Sequence, residues 1–249
     1  MIISQQDRQQ LQDAKNLLEN PGFIAKVTHV IGMPIEGALA RLPRRVTARI
    51  AGITQAALTK ALDAAVFTIK DLPGELPSNR WHKAGIAVSG GVGGFFGLAG
   101  LSVELPLSTS IMLRSIADIA RSFDERIDSE EAKQACLAVF ALGGRSSTDD
   151  DTETGYYAVR AALAKSLSDG SILKLIAAVA ERFSLHVSEK AAAQSIPAIG
   201  AVGGAVINLA FIDHFQDMAT GHFIVRQLER RYGIEAVQQL YQALPKRAF

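Results

Sequence analysis

The segment Asp213-His214-Phe215-Gln216-Asp217, followed by Gly221-His222, brings together side chains that transfer protons and ligate metals. At about 100° per residue along a helix, Asp213 and Asp217 share a face and His214 lies about 60° from Asp217. His222, two turns on, sits about 80° round from His214, on the far side from the carboxylates. A divalent metal held by His214, Asp217 and His222, with help from Glu104 or His186, would make the chain a metal-assisted hydrolase. The compact zinc pair, with histidines at i and i+4 and a glutamate beside the first, is absent, so another segment must supply ligands. His186-Val187-Ser188-Glu189 holds a His/Glu pair of that kind. The alternative for these residues, with Glu104 and Asp213, is structural: polar contacts beside a glycine-rich helix.

Other chemical signatures are weaker. The run Asp149-Asp150-Asp151 lacks the alternate ligand spacing and central glycine of a calcium loop, and reads as the acidic approach to a helix. Cys136 sits in Ala135-Cys136-Leu137-Ala138-Val139-Phe140, the setting of a small buried hydrophobe rather than of an activated nucleophile. There is no Gly-x-Ser-x-Gly elbow. The stretch Ser89-Gly90-Gly91-Val92-Gly93-Gly94-Phe95-Phe96-Gly97 lacks the Lys-Ser/Thr ending of a phosphate loop and the spacing of a dinucleotide loop.

The elements that must position these residues are helices; no stretch alternates apolar and polar residues as a sheet strand would. A polar leading helix is predicted from Ser4 to Glu19, ending before Asn20-Pro21-Gly22, and an amphipathic one from Val46 to Ile69. Pro73, Gly74 and Pro77 break the latter. Helices are further predicted over Leu107–Phe123, from Ser129 to about Leu142, from near Glu153, over Ile172–Phe183 and Val187–Gln194, over Asp213–Arg231 and over Ile234–Leu244. Arg114, Asp118, Arg121 and Glu125 recur at i,i+3 and i,i+4 spacing, which predicts a solvated charged face. The expected class is all-α: one multi-helix domain over residues 46–244 with two central glycine-rich apolar helices, preceded by an N-terminal helical lead-in over residues 1–45.

Those two helices are the unusual feature. Between Lys83 and Glu104 lie 20 residues without a formal charge, and between Lys190 and Asp213 lie 22. Each is long enough to cross a hydrocarbon layer about 30 Å thick, yet too rich in glycine and polar residues for a convincing span. Glycine costs a helix interior about 0.8–1.0 kcal/mol relative to alanine, so something must offset several such costs. Rows of small residues four apart do so by close backbone approach: Gly93 with Gly97, Gly90 with Gly94, and Gly200 with Gly204. Two readings stand, a mutual crossing in a dense core and a contact with lipid.

Arg41, Arg44, Arg45 and Arg49 cluster at the start of the amphipathic helix, where they suit either an anionic lipid surface or plain solvation. Twenty-six lysines and arginines against 25 acids provide no field for a phosphate backbone, so no nucleic-acid partner is expected. No secretory signal or lipidation box is visible, which places the chain in the cytoplasm or at the inner face of a membrane.

The glycine-rich stretch running into Glu104-Leu105-Pro106-Leu107, followed by Ile116-Ala117-Asp118-Ile119-Ala120, resembles the EcsC protein family. Phe140-Ala141-Leu142-Gly143-Gly144-Arg145-Ser146, Glu153-Thr154-Gly155-Tyr156-Tyr157, Val187-Ser188-Glu189-Lys190 and Asp213-His214-Phe215-Gln216-Asp217 look like its proteobacterial branch. Ser122-Phe123-Asp124 departs from the Tyr-Gly pair expected after the Ile-Ala motif. The resemblance implies a bacterial, membrane-associated protein partnered by lipid or by a membrane protein such as an ABC exporter. It brings no activity and no cofactor.

Overall fold

The computed structural model describes residues 3–19, 27–29, 32, 35–66, 104–142, 155–167, 171–196 and 200–245, with backbone alone at 63–66 and 200–204. Regular structure among them is entirely helical, as expected. The helices are α1 (Gln5–Leu18), α2 (Glu36–Ala40), α3 (Arg44–Val66), α4 (104–122), α5 (Glu130–Ala138), α6 (Tyr156–Ser166), α7 (Ile172–Gln194), α8 (Gly200–Tyr232) and α9 (Ile234–Ala243). A 3-10 turn, Val139–Ala141, extends α5.

Local chemistry explains several boundaries. The Ser4 hydroxyl accepts from the Asp7 amide at 3.1 Å, and the Ser129 hydroxyl from the Ala132 amide at 3.1 Å, so both helices begin on side-chain caps. The chain is already helical at Glu104, ahead of the expected Leu107. Two helices expected over 172–194 form one, since Ser184, His186 and Ser188 interrupt the apolar period but not the helix. The expected second glycine-rich helix, residues 191–212, is divided: its first residues finish α7 at Gln194, and α8 begins at Gly200. The Ile196-Pro197 bond disfavours helix at that point. The first glycine-rich stretch, with Gly90, Gly93, Gly94 and Gly97, and the Asp149–Asp151 run lie outside the described residues. Gly200 and Gly204 lie in the first two turns of α8.

Helix α8 is the axis. Its partner α4 runs parallel to it, as three cross-links show: Asn208 bonds Glu104, Gln216 bonds Ser115, and Arg226 bonds Glu125. Helix α7 runs antiparallel to α8, bringing His186 beside His214. Phe140, Phe183, Phe211 and Phe215 fill the centre, all fully enclosed. The lead-in helix α1 lies across α8 and contributes Leu11, Ala14 and Leu18 to the same core. Their crossing is close because Gly221 has no side chain; a Cβ there would meet Leu18 Cγ at 2.8 Å and the Ala14 carbonyl at 3.0 Å. Helix α3 packs along α7, and α9 against α8.

Candidate functional site

The interior carries polar groups in linked clusters along α4, α7 and α8. On α4, Glu104 receives Lys190 Nζ at 2.6 Å and Asn208 Nδ2 at 3.0 Å, all three residues being buried. Lys190 Nζ also lies 4.9 Å from the centre of the Phe211 ring, a cation–π contact. Burial pulls the Lys190 ammonium below its ordinary range, and Glu104 works against that pull. A turn earlier on α7, His186 Nδ1 lies 3.3 Å from Glu189, and its ring centre is 5.3 Å from that of His214. The structure therefore joins the His186 segment to the His214 segment, a contact that chain spacing does not reveal.

His222 is placed elsewhere. Its Nδ1 is 2.8 Å from the hydroxyl of Tyr156 on α6. Arg160 donates to that hydroxyl at 3.3 Å and grips Glu229 with two bonds of 2.6 and 2.9 Å, while Tyr157 donates to Glu229 at 3.1 Å. The Tyr156 hydroxyl and His222 Nδ1 share one hydrogen bond, and the tautomer of the neutral ring sets which of them donates. Burial holds His222 well below its usual value near 6.5, and the charges of Arg160 and Arg226 push the same way.

A pH dependence follows. The folded chain keeps His222 neutral while the unfolded chain binds a proton below about pH 6.5, so this contribution to stability is complete above that pH and declines below it. His222→Gln, which does not titrate, is expected to flatten the decline by up to about 1.4 kcal/mol per pH unit. Urea unfolding between pH 7 and pH 5 measures it; equal slopes for both chains would show that His222 is not held neutral.

The expected solvated face on α4 is corrected. Asp118, Arg121 and Glu125 are buried. Arg121 pairs with Asp118 at 2.6 Å, and Glu125 is clasped by Arg226 at 2.7 Å and by Arg230, which also donates to the Phe123 carbonyl at 2.5 Å. Arg114 alone of the four is exposed. Periodicity extends the stripe to Glu125, but α4 ends at residue 122, and Glu125 beyond it is enclosed by Arg226 and Arg230 of α8.

The proposed metal set is not assembled. His214 packs against His186 and Phe215, His222 against Tyr156 and Phe223, and Asp217 is half-buried between them in the chain, as is Asp213 before them. Among the described residues no group of three or more His, Cys, Asp or Glu side chains is placed to hold a metal. Cys136 is buried and its thiol is pushed up to about 12 by burial and by Glu125, the inert state expected of it. Nothing here favours a hydrolase.

Lys190, Asn208, Tyr156, Arg160 and Glu229 were not singled out from the sequence. One signal was available for the first: Lys190 opens the second uncharged stretch and Glu104 closes the first, so the two charges stand at matching borders. Among the described residues no helix is long and apolar enough to cross a membrane. No curated protein and no solved structure matches the chain. The family model described as the EcsC protein family matches residues 5–228, from the first residue of α1 nearly to the end of α8, and the chain belongs to that family.

Proposed function

We propose that this chain is a peripheral, membrane-linked interaction protein of the proteobacterial EcsC branch, acting at the inner face of a membrane by binding rather than by catalysis. The observation that carries the reading is the Glu104–Lys190 pair. These are the charges that close the 20-residue uncharged stretch and open the 22-residue one, and they neutralise each other inside the protein. With one bordering charge of each stretch neutralised in the interior, the outward parts of the stretches can lie against lipid without carrying that charge into it. The interior polar groups support binding over chemistry, since Arg160, Arg226 and Lys190 are each committed to a carboxylate distant in the chain. By family resemblance the partner is membrane lipid or a membrane protein such as an ABC exporter.

Flotation of purified protein through a density gradient with liposomes tests this. A fraction of the chain is expected to rise with vesicles, and a photoactivatable lipid is expected to label it. A chain that stays at the bottom with every lipid composition, and takes no label, ends the membrane reading and leaves a helical scaffold.

A further inference from the structure

We infer that the outward face of α3 is a docking surface for anionic phospholipid headgroups, an inference that rests on the membrane-linked reading and names its contact surface. Between Gly37 and Leu62 the chain has five cations, Arg41, Arg44, Arg45, Arg49 and Lys60, and no aspartate or glutamate. All five are exposed. Among the described residues none of them pairs with a carboxylate. Elsewhere Arg121, Arg126, Arg160, Arg226, Arg230 and Arg231 each meet one. In a chain whose formal charge is only +1, this is a local excess of exposed cations that no described carboxylate neutralises.

Helical geometry arranges the excess. Ile50, Thr54, Ala57, Leu58 and Ala61 are the buried side of α3, which packs on α7. At about 100° per residue, Arg45, Arg49, Gly52, Ala56 and Lys60 fall in a stripe about 80° wide on the other side. From Arg45 to Lys60 the stripe runs about 22 Å. Gly52 and Ala56, both exposed, leave it low between the cations, and nothing lies within 4 Å of where a Gly52 Cβ would be. Arg44 and Arg41 widen the basic area at the helix start, where the macrodipole adds positive potential. A flat anionic surface fits: long cationic side chains reach phosphates in one plane, and small residues let the helix lie close above them. An apolar groove for a partner helix is not what this face presents, because cations dominate it.

The test compares vesicles of phosphatidylcholine alone with vesicles in which a third of the lipid is phosphatidylglycerol. It uses the full chain, the variant Arg45→Gln/Arg49→Gln/Lys60→Gln, and a control that removes equal charge elsewhere, Arg8→Gln/Arg126→Gln/Lys165→Gln. All six positions are exposed, and circular dichroism verifies that each variant folds. Each cation at an anionic surface is worth about fivefold in partition, so the α3 variant is expected to lose about a hundredfold on the anionic vesicles. The control should lose far less. Raising the salt weakens wild-type binding, because the screening length falls to about 8 Å at physiological ionic strength.

The outcomes separate. If the wild type floats on anionic vesicles and the α3 variant floats equally well, or if the wild type binds both vesicle types alike, the surface assignment falls and the membrane reading stands. If the wild type floats on neither, the membrane reading falls. If a homopolymeric RNA strips the wild type from vesicles and binds the bare protein more tightly, the face serves nucleic acid and the assignment is overturned.

Discussion

Lys190→Met is expected to destabilise the protein by about 3–5 kcal/mol, the range for removing one member of a buried ion pair. The Lys190 side chain is fully enclosed and the Glu104 side chain is 3% exposed, so water cannot take the place of the lost ammonium. Asn208 would be left as the one described donor to the Glu104 carboxylate. The expected size comes from stranding that carboxylate rather than from the intrinsic worth of the pair. The double variant Glu104→Leu/Lys190→Met should therefore recover most of the loss, because apolar pairs of similar volume often replace buried ion pairs at little cost. Urea unfolding of the wild type, both single variants and the double variant gives the coupling directly. Additive single effects, or a Lys190→Met loss below about 1 kcal/mol, would contradict a buried, mutually dependent pair. The same variants report on function. If the pair holds the common root of the two uncharged stretches, Lys190→Met should alter lipid binding, and the double variant should restore the fold more fully than it restores binding.

Phe215→Ala is expected to cost about 3–5 kcal/mol as well, by another route. Phe215 is fully buried and its ring centre lies 5.1 Å from Phe211, 5.3 Å from Phe140 and 5.4 Å from Phe183. His214 at 5.1 Å and His186 at 5.5 Å complete the surround. Truncation opens a cavity where α7, α8 and the 3-10 turn meet, with five rings unable to close on it without moving their helices. Phe215→Leu keeps most of the volume and should cost less than about 1.5 kcal/mol. Thermal unfolding distinguishes the two. Equal effects would mean that the aromatic contacts, not volume, hold this centre. NMR signals of His186 and His214 should broaden in the alanine variant, since the ring packed against both is gone.

Helix existence was legible wherever chemistry is local. Ser4 with Asp7 and Ser129 with Ala132 are contacts within one turn, so the caps could be read from adjacent residues. The Val46–Ile69 period corresponds to α3 because one side of that helix is buried and the other is open, the condition under which a hydrophobic stripe marks a helix. The period failed in the middle of α7, where Ser188 and His186 are buried along with Val187. A helix enclosed on several sides does not sort its polar residues to one face. The same reason defeated the α4 charge stripe. Asp118, Arg121 and Glu125 share a side by spacing, but burial of the Asp118–Arg121 pair and the grip of Arg226 on Glu125 are set by packing.

The order of side chains along the chain determined that this protein is all helical, where most of its helices stop, and which family it belongs to, because caps, prolines, apolar periods and short motifs act within a few turns. Tertiary structure alone decided which charges are spent inside. Glu104 and Lys190 are 86 residues apart, and Tyr156 and His222 are 66 apart. Such partners are chosen by how helices pack, and burial then turns an ordinary lysine or histidine into a group whose charge depends on its neighbour. The arginines of α3 are the complement: their spacing was legible from the start, and packing left them facing outward, with no carboxylate partner among the described residues.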